Sequence, residues 1–245
     1  MHRSYCPNLD LNQQTATITD KQELHHLKNV LRAKPKTKIS LLNGSGQEAE
    51  GEIISISSKF AEVKILSCVT AELPKPDIIL ACAMPKKSKF ETIIEKATEL
   101  GVSSIIPLNT KRTEVSLSPE RLTNKIIRYQ AVALNAAKQS KRSTIPTINP
   151  ISTLEETVET LMKDTVIFIP SLLGKTLNIL DSFEKNKNPE KIAFLIGPEG
   201  DFTEEEYNFA HNNNCIGISL GKTILKVETA ALCAVACANQ FYWKQ

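Results

Sequence analysis

Apolar and polar positions alternate along the first part of the chain and follow a helical or continuous pattern afterwards. Within residues 1–72, short runs of period two occupy 15–18, 38–42, 48–56 and 60–66. Such runs predict strands with one buried face. Turn-forming residues separate them, most clearly Asn43-Gly44-Ser45-Gly46. One stretch, 20–32, has helical spacing; Asp20 is placed as its N-cap, and Glu23 follows at capping-box distance. Several short strands around one helix predict a small β-barrel module that presents loops to a partner.

Residues 73–77 contain two prolines in three positions, Pro74 and Pro76. They favour extended backbone and mark a linker. Beyond it, continuous apolar runs predict strands at 78–83, 104–108, 166–169, 192–196 and 216–220. Between them, periodic segments predict helices at 89–100 (ending at Gly101), 119–140, 153–162, 203–212 and 224–242. Strand alternating with helix implies an open, mostly parallel α/β sheet, giving a barrel domain at 1–72, a linker at 73–77 and an α/β domain at 78–245.

Ligands of open α/β sheets bind beyond the carboxyl ends of the strands. Two segments at such positions stand out. Residues 192–206 read IAFLIGPEGDFTEEE and residues 220–231 read LGKTILKVETAA. Each is an apolar run that breaks into glycine or proline and then enters a helix, so the two can build one pocket from exposed backbone. The glycines of Gly197-Pro198-Glu199-Gly200 allow close approach of a ligand. Thr203 with Glu206 has capping-box spacing, which assigns Glu204, Glu205 and Glu206 to the helix start. Glu199 lies inside the turn, positioned to accept hydrogen bonds from a ligand or to tie the two loops together. The apolar pair Ile224-Leu225 suits a purine ring. The last helix carries Ala230, Ala231, Ala234, Ala236 and Ala238; it reads as a core helix, and a subunit interface is compatible with that.

Composition narrows the class. The 245 residues suffice for one large domain or two unequal ones, and 41% apolar with 23% charged residues is ordinary for a globular protein. No apolar run approaches the roughly 18 residues of a membrane span, and the N-terminal stretch lacks the apolar core of a secretory signal. The six cysteines (Cys6, Cys68, Cys82, Cys215, Cys233, Cys237) have no metal-ligand spacing, and their apolar neighbours predict buried free thiols in a reducing cytoplasm. The histidines form no HExxH, so no metal is expected. Gly221-Lys222-Thr223 and Gly174-Lys175-Thr176 imitate the end of a P-loop, but the required earlier glycine is replaced by Ile216 and Ile169. No GxGxxG follows a strand. The net charge of +3 is unevenly spread. Eight basic residues against two acidic ones lie between Lys111 and Arg142. Such a run is either a phosphate-backbone footprint or a solvated helix face.

The combination of these motifs resembles the RsmE-type uridine N3-methyltransferases of small-subunit (16S) ribosomal RNA, in the SPOUT class. The resemblance spans nearly the whole chain. It rests on HHLKNVLR at 25–32, KATELGV at 96–102, Gln139-Ser140 with Arg142 and Pro146, IGPEG at 196–200 and LG..IL..ETA at 220–230. It implies a PUA-like RNA-binding barrel followed by a methyltransferase domain with a C-terminal trefoil knot. It further implies a homodimer, a cytoplasmic location, and rRNA within the small subunit as partner. The methyl donor would be S-adenosyl-L-methionine, held by Leu195, Ile196, Gly197, Pro198, Glu199 and Gly200 and by Leu220, Gly221, Ile224, Leu225 and Lys226. The chain departs from the family pattern at Asp201, where glycine is usual, and at Thr223 and Lys226, where arginines are common. Asn135, Lys138 and Lys141 also differ from it.

Methyl transfer to N3 of uracil requires loss of the N3 proton or stabilisation of charge developing on the ring oxygens. Lys226 is the expected cationic contact and Glu228 the nearest acidic residue for a base or a structural role. Arg112 and Arg142 are expected to hold RNA phosphates, together with Arg3, Arg32 and Lys86. Two other readings remain open: a SPOUT enzyme acting on a ribose hydroxyl or another base, and a non-catalytic RNA-binding protein.

Overall fold

A computed structural model of the chain describes residues 1–85, 89–113, 119–171 and 176–243. The chain forms two compact units, one of Met1–Leu73 with Ala137–Ile145, the other of Pro74–Ala136 with Pro146–Gln245.

The first unit is a five-stranded sheet in the order β1-β3-β4-β5-β2, with β1 His2–Tyr5, β2 Thr15–Ile18, β3 Lys38–Leu42, β4 Gln47–Ile56 and β5 Ala61–Thr70. β1 lies parallel to β3 and the other pairs are antiparallel. The ten-residue strands β4 and β5 slip register between Glu50 and Gly51 and again between Ile53 and Ser55. Such slips bend a long pair and let a small sheet curl around its core. Leu24, Leu27, Ile39, Leu41, Ile53 and Val63 fill that core.

The helix expected at 20–32 is shorter. It runs as α1, Lys21–His25, and passes into a π-helical turn at His26–Val30. Asp20 caps it as expected, accepting from the amides of Gln22 and Glu23. Glu23 does not complete a capping box, because its carboxylate pairs with Lys138, a residue of the recruited segment 137–145. That segment also bonds to the hairpin turn, where Gly46 donates to the Ser143 carbonyl at 3.1 Å and Ile145 to the Gly44 carbonyl at 2.9 Å. The domain division at 1–72 therefore omits nine residues that fold with the first unit.

The second unit is a seven-stranded parallel sheet in the order β10-β12-β9-β11-β6-β7-β8. Its elements are β6 Asp77–Ala83, α2 Lys89–Glu99, β7 Ser104–Leu108, α3 Pro119–Gln139, β8 Thr147–Ile148, α4 Leu154–Leu161, β9 Val166–Pro170, β10 Leu177–Asn178, α5 Ile179–Lys185, β11 Lys191–Ile196, α6 Glu204–Asn212, β12 Ile216–Ser219 and α7 Val227–Tyr242. β6 and β11 are central and, after their first residues Asp77 and Lys191, apolar and buried, as strands covered on both faces must be. Ala193 and Leu195 of β11 enter a core with Ile79, Leu108 and Val158. Phe194 points the other way, into a ring cluster with Phe168 and Phe183 at centroid separations of 5.3–6.2 Å.

Two expectations are corrected. Cys68 is exposed and Cys233 and Cys237 are half-buried, so only Cys6, Cys82 and Cys215 are buried thiols. Cys68 lies on β5 beyond the stretch whose alternate residues reach the core. β1, β8, β10 and α5 were not expected at all. The motif Gly174-Lys175 lies outside the described residues.

Candidate functional site

β11 and β12 deliver the two loops to the same end of the sheet. Past Ile196, residues 197–203 turn sharply: the Asp201 amide donates to the Pro198 carbonyl at 2.9 Å. Gly197 sits close beneath the Phe202 ring, 3.2 Å from where a Cβ would lie. Thr203 caps α6, and the reciprocal bond from its amide to Glu206 Oε2, at 2.7 Å, completes the box. Glu206 is 1% exposed, and its other oxygen accepts from the Lys111 amide at 3.0 Å. One buried carboxylate thus starts a helix and anchors the loop after β7.

The second loop leaves β12 at Ser219, whose hydroxyl bonds both the amide and the carbonyl of Gly221. Gly221 has φ +135° and open space where a side chain would begin, so its conformation rather than any crowding favours glycine. Lys226 is the N-cap residue of α7 without making a side-chain cap. Its ammonium is therefore not committed to the helix end.

Between the loops lies a cleft of about 550 Å³, within the range of small-molecule sites. Ile196, Gly197, Pro198, Glu199, Gly200, Leu220, Gly221, Ile224, Leu225, Lys226 and Glu228 all line it. Leu195 does not; it belongs to the core one residue before the cleft. Strand alternation is the reason, since its side chain points opposite to Ile196. Ile224 is 82% exposed, so the expected apolar pair offers Leu225 more than Ile224 as a wall. Among the lining residues that the sequence did not point to are Lys89, Pro170, Ser171 and Tyr207. Lys89 opens α2 and Tyr207 lies within α6, and no local motif marks either.

Glu228 forms an ion pair with Lys89 at 3.3 Å. Its own amide at the start of α7, and then Lys89 and Lys226, hold its carboxyl below the usual glutamate range. A carboxylate so stabilised is a good acceptor and a poor proton acceptor in catalysis. Among the described residues, no cluster of three His, Cys, Asp or Glu could hold a metal.

The basic residues are more committed than their count suggests. Arg112 donates to the Gly200 carbonyl at 2.7 Å and to the Phe202 carbonyl at 3.3 Å. It braces the first cleft loop, which differs from the phosphate role expected of it. Arg3 pairs with Glu48 at 2.5 Å and donates to the Arg142 carbonyl at 3.1 Å. Arg142 donates to Thr144 Oγ1 at 2.9 Å, and burial lowers its pKa to about 10. Both arginines serve the interior of the first unit rather than a free phosphate surface. Arg128 pairs with Glu91 and Lys111 with Glu205. Arg32 is exposed, on left-handed backbone with φ +50°. Lys86 lies outside the described residues.

Comparison with known proteins identifies the family. Residues 71–239 match an RNA methyltransferase domain and residues 18–66 an RNA methyltransferase PUA domain. A ribosomal RNA small subunit methyltransferase E of Synechocystis is 33% identical, with 92% of this chain and 73% of that protein aligned. Its counterpart in Rickettsia conorii is 30% identical over 89% of this chain and 87% of its own length. The chain belongs to the ribosomal RNA small subunit methyltransferase E family. A solved methyltransferase E from Neisseria gonorrhoeae, bound to S-adenosyl methionine, superposes with a TM-score of 0.88 at 28% identity, covering 99% of this chain and 98% of its own. A Legionella pneumophila protein in complex with the same cofactor gives 0.83 at 27% identity, covering 96% and 95%.

Proposed function

We propose that this chain transfers a methyl group from S-adenosylmethionine to N3 of a uridine in small-subunit (16S) ribosomal RNA. The observation that carries the reading is the cleft between the 197–203 and 219–226 loops, in a fold shared with methyltransferase E bound to S-adenosyl methionine. The cleft suits that ligand by its own chemistry. Its volume takes a nucleoside, Leu225 and Val227 offer apolar wall, and Gly197, Gly200 and Gly221 leave backbone groups bare.

When bound, the sulfonium supplies an activated methyl group for in-line displacement. What the chain's residues contribute is position and charge. Arg112 and Glu206 brace the second half of the first loop, at the Gly200 and Phe202 carbonyls and the Thr203 amide, and the Lys226 backbone starts α7 after the second. The Lys226 ammonium at the cleft stabilises negative charge developing on a uracil oxygen as the N3 proton leaves. Glu228, ion-paired with Lys89 and held ionised, positions that lysine at the cleft, and its lowered pKa favours this structural role over that of a base. To reach the cleft, the target base is unstacked.

Several finer readings belong with this one. The last strand, β12, is inserted between the earlier β9 and β10, and the chain then returns so that α7 packs on β6, β11, α2 and α5. That path supports a SPOUT-class trefoil knot, one of the rare exceptions to unknotted folds. The PUA-type unit is assigned to RNA contact, with Arg32 among its exposed cations, and the enzyme is assigned as a homodimer in the cytoplasm. No helix among the described residues is long and apolar enough to cross a membrane.

The test uses purified protein, labelled S-adenosylmethionine and small ribosomal subunits from cells lacking this enzyme, followed by nucleoside mass analysis. N3-methyluridine appearing at one position supports the reading. A methylated ribose or another base would move the chain to a different SPOUT activity, and RNA binding without methylation would leave it a binding protein.

A further inference from the structure

Asp201 places a carboxylate at the cleft on backbone that favours glycine. Its φ is +63°, in the left-handed region that most side chains avoid. The arrangement is held by its surroundings. The Phe202 amide donates to Asp201 Oδ1 at 2.8 Å, and the hydroxyl of buried Tyr207 donates to the same oxygen at 2.8 Å. Burial first, and then the nearby Asp201 carboxylate, keep the Tyr207 phenol protonated as that donor. Both bonds end on Oδ1. Among the described residues no hydrogen bond falls on Oδ2 and no ion pair includes Asp201. The other unforeseen carboxylate partner at the cleft, Lys89, is taken by Glu228. A preorganised carboxylate with one oxygen to spare, at the wall of a ligand cleft, is a receptor for a cationic N–H donor.

Resting on the proposed use of S-adenosylmethionine, we propose that Asp201 Oδ2 binds the α-ammonium group of its methionine portion. The sulfonium is the weaker match. It has no N–H to donate, and a fixed anion against it would stabilise the charged ground state that transfer must discharge. The ammonium keeps its charge through the reaction, so donor and demethylated product gain equally from Asp201.

The experiment is calorimetric titration of the full chain with S-adenosylmethionine, S-adenosylhomocysteine and 5′-methylthioadenosine, the last lacking the amino-acid portion. Asp201→Asn keeps an acceptor for Phe202 and Tyr207 and tolerates the left-handed backbone while removing the charge. It should weaken the first two ligands about tenfold and leave the third unchanged, since a charge-assisted bond is roughly twice as strong as a neutral one. Asp201→Gly, with its fold checked by circular dichroism, should give the same pattern with a larger loss. Equal weakening of all three ligands would make Asp201 a support of the loop or a ribose contact, and would overturn the proposal. So would unchanged affinity for all three. A wild-type chain that binds none of them would overturn the methyl-donor reading itself, a result distinct from either.

Discussion

The Arg112 guanidinium reaches two carbonyls of one turn, Gly200 and Phe202, and a Cβ on Gly200 would lie 3.5 Å from its chain. Removing it frees the turn that forms one wall of the cleft. Arg112→Ala should therefore weaken S-adenosylmethionine binding about tenfold, the scale of a lost charged hydrogen bond. The salt dependence of RNA binding should stay unchanged, because no phosphate contact is lost. Calorimetry and salt-titrated filter binding separate the two, and a shallower salt slope with intact cofactor affinity would restore the phosphate role. Glu228 gives a pH prediction. Its folded pKa lies below the ordinary 4.5, so it adds stability above that value and loses it as pH falls through the folded value. Glu228→Gln should thus lower Tm at pH 7 and match the wild type well below pH 4.5; a difference persisting into acid would refute this. Charge type was legible at both residues from the sequence. Their partners were not, because Gly200 lies 88 positions from Arg112 and no spacing rule spans that distance.

Local grammar decides elements, and long-range pairing decides the rest. The box at Thr203 and Glu206 was legible because its parts are three residues apart. The same spacing at Asp20 and Glu23 misled, since Lys138 captures the Glu23 carboxylate. β1 was invisible because four residues, HRSY, become a strand only through parallel pairing with β3. β8 and β10 have two residues each, fewer than any periodicity needs. Within α6, Glu206 tests how far one side chain joins elements. Glu206→Ala leaves the partly buried amides of Thr203 and Lys111 without acceptors. The cost should be about 2 kcal/mol, two unsatisfied donors at the lower end of their range, since the Glu206 amide still bonds Thr203 Oγ1. Thr203→Ala removes only the cap and should cost about 1 kcal/mol. Urea unfolding of both variants checks the ratio, and equal losses would mean that Glu206 does no more than cap.

At the scale of the whole α/β unit, alternation of strand and helix was readable while the order of strands was not, because β12 between β9 and β10 is a choice among crossovers that share one hydrophobic pattern. That order sends the chain's end back to the unit's beginning. Asn239 of α7 donates to the Leu100 carbonyl at 2.9 Å, and the Trp243 indole donates to the Pro76 carbonyl at 3.2 Å. The seat for the indole is Gly101, which closes α2 with φ +101° and would place a Cβ 2.2 Å from the Trp243 ring. Gly101→Ala therefore meets two separate penalties. The left-handed backbone disfavours a side chain by roughly 1 kcal/mol, and the collision with Trp243 adds about 1–3 kcal/mol of overpacking. Trp243→Ala in the same chain removes the second penalty and keeps the first. The double variant should then be more stable than the sum of the two single losses implies, by an interaction energy of about 1–2 kcal/mol. Trp243 is the sole tryptophan, so intrinsic fluorescence reports its seat directly in Gly101→Ala, and urea unfolding followed by circular dichroism gives the cycle. Strict additivity of the two losses, with unshifted Trp243 emission, would mean that the end of α7 is not closed on the α2 terminus in solution.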